Sequence, residues 1–170
     1  MRPEVISSLA SAGIVQKPQD VTSVLAMMDA TYIKDSYNSL SIEGYKITEG
    51  LLEKVRSGNW DPKNNEEDKE RKNALAARGY YQSYQLLRQN IAEVFAGQDP
   101  SQMYVKNHQS WHFQLFEPCI RAGIIKASDL VGYRTHQVYI RNSMHVPLNP
   151  DAVLDAMMAL SKLMQEETDA

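Results

Sequence analysis

One cysteine in 170 residues, Cys119, rules out an internal disulfide and any zinc site built from paired cysteines. The eight glycines are scattered singly, and Gly97, Gly123 and Gly132 read as isolated punctuation, so there is no glycine-rich loop to cradle a phosphate. Positive charge is not in excess either: Lys+Arg 18 against Asp+Glu 21 give a formal charge of −3. That balance cannot neutralise many phosphates, which leaves sequence-independent nucleic-acid binding without an electrostatic basis. No apolar stretch approaches the ~18 residues of a membrane span. The N-terminus carries Arg2 and Glu4 but no long apolar signal core, so neither nucleic acid nor membrane is expected as a partner, and the cytoplasm is the expected compartment.

What is present reads as helix. The first ~16 residues are small and mixed, an opening arm that ends at Lys17-Pro18. From Asp20, an N-cap, Val21, Val24, Leu25, Met28, Ile33 and Tyr37 recur at helical spacing, so a helix is expected to about Asn38. Gly44 can take positive φ after it, and Thr48 can cap a short helix from Glu49 to Arg56. The stretch 57–65 reads as a loop. The run Glu66 to Lys72 then starts a long helix ending at Gly97, with Glu67–Arg71 and Asp68–Lys72 as supporting pairs and Leu75, Tyr80, Tyr84, Leu87, Ile91 and Phe95 as its apolar stripe.

Residues 1–99 form the N-terminal part on this reading, and 100–170 a second part. Ser101 is expected to cap a helix carrying Met103, Val105, Trp111, Leu115 and Phe116, which Pro118 should kink or interrupt before Gly123. Two β-prone runs between Val138 and Val146, around Arg141-Asn-Ser143, predict a hairpin closed by Pro147. Asn149, Pro150 and Asp151 then open a last helix, with Val153, Met157, Leu160 and Met164 on one face in need of a cover. The fold class is therefore mainly α, with one β-hairpin.

Candidate chemistry is sparse. His108 and His112, four apart on a helix, share a face and could grip one metal ion. No general-base glutamate stands between them and no third ligand is nearby, so the metalloprotease pattern is absent. His136 and His145 flank the hairpin in a polar role. Cys119 follows a proline on an apolar helix with no cationic cluster, the setting of an inert thiol. Two features stand out beyond core and caps. Glu43 is a carboxylate at a helix end behind two serines, readable either as a turn acid or as a group presented to a cation. The hairpin leaves backbone groups unpaired, readable as a structural excursion or as an edge for an added strand.

Ser39-Leu-Ser-Ile-Glu43-Gly44, followed by Thr48, resembles the inhibitory helix motif of the Fic (filamentation induced by cAMP) domain family, in which Ser or Thr is followed four residues later by Glu and then Gly or Asn. Trp111-His-Phe-Gln-Leu-Phe116, Ala122-Gly123, Gly132-Tyr-Arg134, Val138-Tyr-Ile140 and Ser143-Met-His-Val-Pro147 resemble the part of such a domain that precedes its active-site loop. The likeness covers most of residues 20–165 and implies a Fic-like helical bundle with a flap. It also implies a role in moving AMP from ATP to a protein hydroxyl, with Ser39, Glu43 and Gly44 as the inhibitory motif. Val138, Tyr139, Ile140, Arg141, Asn142, Ser143 and His145 would form the target-docking flap. The family's His-Pro-Phe-x-Asp/Glu-Gly-Asn-Gly-x-x-Arg string is absent. The chain is accordingly expected to be truncated before the active-site loop, inactive alone, and without catalytic or metal residues or a cofactor of its own. ATP and Mg are implied for the complete enzyme. The implied partners are the missing C-terminal catalytic half or a partner Fic chain, a target protein, and a second copy of the chain. The alternative is a non-enzymatic, antitoxin-like interaction module.

Overall fold

The computed structural model describes residue 11, residues 20–59 and residues 71–166. These are mainly helical, as expected: α1 (Val21–Ile42), α2 (Glu49–Arg56), α3 (Arg71–Phe95), α4 (Pro100–Arg121) and α5 (Pro150–Glu166), with a 3-10 turn at Ala127–Leu130. The expected opening arm, residue 11 aside, and the 66–70 start of the long helix with its Glu67 and Asp68 pairings lie outside the described residues.

Asp20 caps α1 as expected, its Oδ1 accepting from the Ser23 N–H at 2.8 Å. The helix runs past Asn38 to Ile42 because Leu40 is buried against Ile47, Leu52, Val55, Ala76 and Ala77, so packing carries it through two serines. It ends in a Schellman turn. Gly44 takes φ 83°, its N–H reaches the Ser41 carbonyl at 3.0 Å, and the Tyr45 N–H reaches that of Leu40 at 3.0 Å. Thr48 then caps α2, which buries Leu52 and Val55.

α3 and α4 make the most extensive helix contact among the described residues. Gly79 permits it: a Cβ built there would stand 1.9 Å from the Leu115 carbonyl oxygen. Trp111 Nε1 donates to the buried Asn90 at 2.8 Å and Gln82 Nε2 to Glu117 at 3.2 Å across the same seam. The cap of α4 is Asp99, not Ser101. Pro100 occupies the first helical position, Asp99 Oδ1 accepts from the Gln102 N–H at 2.9 Å, and Ser101 is buried with its hydroxyl on Asp99. Nor does Pro118 interrupt α4, which continues to Arg121. One missing N–H in the last turn is a small loss beside the packing on α3. Asn149 opens α5 as expected, Oδ1 accepting from the Asp151 N–H at 3.0 Å.

The hairpin does not form. Among the described residues there is no strand, and 138–146 is a loop with a turn at Ile140–Ser143, where Asn142 takes φ 59°. Two strands alone are marginal, and Tyr139, Met144 and Val146 are exposed, so no burial fixes a register. Side chains hold the arms together instead: Gln137 Nε2 donates to the carbonyls of Val138 and Pro147, each at 3.1 Å, and Arg134 to those of His136 and Leu148.

Against α3, α1 is clamped by an aromatic and ionic cluster. Tyr32 is buried, its ring 4.7 Å from that of Tyr84 and 5.5 Å from that of Tyr81. The Tyr84 hydroxyl donates to Asp29 at 2.6 Å, and Arg88 forks onto the same carboxylate with both bonds at 3.1 Å. Tyr84 first, then Arg88, holds the Asp29 carboxyl below its ordinary range. The clamp therefore stabilises the fold above the usual carboxylate range and loses that contribution as pH falls through the lowered value. Asp29→Asn is expected to flatten the acid limb of a plot of urea midpoint against pH; an acid limb identical to the parent's would refute this.

Candidate functional site

Two regions of the surface hold the residues singled out by sequence. The first is the end of α1. Glu43 is the C-cap residue, its backbone N–H on the Ser39 carbonyl at 3.3 Å, and its side chain is exposed with no hydrogen bond or ion pair among the described residues. Gly44 reverses the chain behind it. The turn that follows is tied to the start of α3: the Lys46 N–H donates to Asn73 Oδ1 at 3.2 Å, and Lys72 Nζ lies 5.7 Å from the centre of the Tyr45 ring. Burial, then the charges of Cys119 and Glu43, push the Tyr45 hydroxyl up. The Cys119 thiol is likewise raised, by burial with Lys72 opposing, which agrees with an unreactive thiol. The third motif residue, Ser39, is half-buried, its hydroxyl 3.4 Å from that of Tyr80.

The second region is a cleft of about 770 Å³ beside the loop, lined by His108, His112, Phe116, Tyr133, Arg134 and His136 among others. His108 is sandwiched, its ring 5.1 Å from that of Tyr104 and 6.5 Å from that of Tyr133. Its Nδ1 faces only carbonyls, of Tyr104 at 3.1 Å and Val105 at 3.2 Å, so we assign the proton there; Nε2 then accepts from the Tyr133 hydroxyl at 3.1 Å. That leaves His108 no free lone pair to share with a metal alongside His112, whose ring packs edge-on against Phe116 at 5.1 Å. Of the flap residues, Val138 is half-buried, while Tyr139, Ile140, Arg141, Asn142, Ser143 and His145 are exposed. No hydrogen bond or ion pair joins them to Ser39, Glu43 or Gly44 among the described residues. No family model, curated protein or solved structure matches the chain.

ATP with Mg does not fit the residues present. The positive-φ glycines at 44, 58, 97, 123 and 132 sit one at a time at helix ends or in a turn, not in a run whose N–H groups could converge on phosphates. Among the described residues no three His, Cys, Asp or Glu side chains converge in a way that could hold a metal ion. No helix among them is long and apolar enough to cross a membrane. Sequence reasoning missed two features here. Tyr80, on α3, reaches across to Ser39, and Arg134 closes the loop; the contacts of both span elements and left no local signature.

Proposed function

We propose that this chain is the regulatory and target-docking portion of a Fic-type protein adenylyltransferase, acting with a second polypeptide segment that carries the nucleotide site. The observation that supports this reading is Glu43: an exposed carboxylate without a cation partner among the described residues, held on a helix end closed by a Schellman turn. A carboxylate so placed is free to take a guanidinium in a bidentate pair. On the family pattern that guanidinium would otherwise hold the γ-phosphate of ATP, so the pair would exclude productive nucleotide binding. The loop at 138–146, whose backbone is not committed to a ladder, would align an extended target segment.

The full chain complexed with a polypeptide bearing the His-Pro-Phe and Gly-Asn-Gly loop supplies the test. Glu43→Gly is expected to raise adenylylation of target or self about tenfold or more, the worth of one charge-assisted pair. Activity equal to the parent's would remove the assignment.

A second reading is favoured by α5, where Leu154 and Met158, four residues apart on one face, are both more than half exposed. An apolar face of this kind suits an interaction module without catalysis. Suppression of a partner's adenylylation by the added chain would support that module, and restoration of activity by mixing would support the split enzyme.

A further inference from the structure

The last turn of α1 is held sideways by few contacts. Ser36 and Leu40 are buried, but Ser41 and Ile42 beyond them are exposed, Ile42 at 84%. The Schellman turn satisfies the backbone of this helix end locally and does not fix where the end lies on α3. That falls to Leu40, to the Lys46–Asn73 and Lys72–Tyr45 contacts just beyond the turn, and, within the last turns of the helix itself, to one side chain from α3. The Tyr80 hydroxyl donates to Asp35 Oδ2 at 2.8 Å and lies 3.4 Å from Ser39 Oγ, while its ring packs against the core cluster around Leu40. Ser39 is also the residue whose carbonyl receives the Glu43 N–H. A continuous path therefore runs from Tyr80 through Ser39 to the backbone of Glu43.

We propose that Tyr80 is a positioning residue for inhibition: by gripping Asp35 and Ser39 it sets the last turn of α1 on α3, and so aims the Glu43 carboxylate. This rests on the adenylyltransferase reading above. Tyr80 touches no reacting group; it acts only through the helix that carries Glu43. Loss of its hydroxyl leaves the ring and the apolar contacts of Leu40 in place, so the helix stays docked while its end wanders.

The test uses the full chain, complexed with a polypeptide bearing the missing loop, as parent, Tyr80→Phe, Asp35→Ala, Glu43→Gly and the Tyr80→Phe/Glu43→Gly double variant. Tyr80→Phe and Asp35→Ala are each expected to raise adenylylation about fivefold, the worth of one hydrogen bond, and Tyr80→Phe to add nothing in the Glu43→Gly background. Amide exchange at Glu43, Gly44 and Tyr45 should quicken in Tyr80→Phe while that of Leu52 does not. An equal rise in both backgrounds would overturn the proposal, as would unchanged exchange at residues 43–45. If Glu43→Gly alone stays at the parent's activity, the inhibitory role itself is lost, and the exchange measurement still decides for or against the grip of Tyr80 on the helix end.

Discussion

Gly79→Ala is expected to destabilise the fold by about 2 kcal/mol or more, read as a lowered urea midpoint at unchanged slope. The sign is what makes the experiment informative. In an exposed helix interior alanine is better than glycine by about 1 kcal/mol, so local preference alone forecasts a gain. At this position the new methyl would stand 1.9 Å from the Leu115 carbonyl oxygen, 2.7 Å from its carbonyl carbon and 3.2 Å from its Cα. All three are backbone atoms and cannot rotate aside. Relief requires α4 to move away from α3 as a body, which strains the Trp111–Asn90 and Gln82–Glu117 bonds across the same seam. A neutral or stabilised variant would show that the two helices do not approach so closely.

Leu52→Ala is expected to cost about 2–5 kcal/mol. Leu52 is fully buried, and α2 has only eight residues, of which Leu52 and Val55 are the buried pair. A helix so short has no stability of its own in water and exists because that pair packs on Leu40, Ala76 and Ala77. Truncation leaves a cavity where α1, α2 and α3 meet, under the turn that carries Glu43. Leu51→Ala, at a half-buried neighbour, serves as the internal comparison and should cost clearly less. A loss below about 1 kcal/mol in Leu52→Ala would contradict the packing described.

Local chemistry was legible in the sequence, and contacts between distant segments were not. Asp20, Thr48 and Asn149 cap as their residue types predict, and Gly44, Gly97 and Gly123 end helices with positive φ. The error at Asp99 is instructive, because proline at the first helical position identifies the residue before it as the cap, as it does at Asn149-Pro150. Ser101 lies two residues too late. Gly79 carries no local signal: a glycine inside a helical pattern reads as a weak spot until the helix it touches is known. The Asp29–Arg88 pair spans 59 positions and is equally silent in sequence. The hairpin failed for the converse reason. Its residues are β-prone by type, but among the described residues no strand or buried face exists to make pairing worthwhile. For the candidate site, the motif at Ser39–Gly44 was visible as a pattern, whereas its attachment to Tyr80 is a property of the packed helices.

The indole of Trp111 also has a practical bearing. Its N–H crosses from α4 to Asn90 on α3, whereas Tyr32, Tyr81 and Tyr84 cluster where α1 meets α3. The molecule thus carries two built-in optical gauges on one helix, one where α4 packs on it and one where α1 does. With Trp60 changed to phenylalanine, tryptophan emission would follow the undocking of α4, and the part of the near-ultraviolet dichroism that Tyr32→Phe removes would follow that of α1, so the two together could tell which helix lets go first.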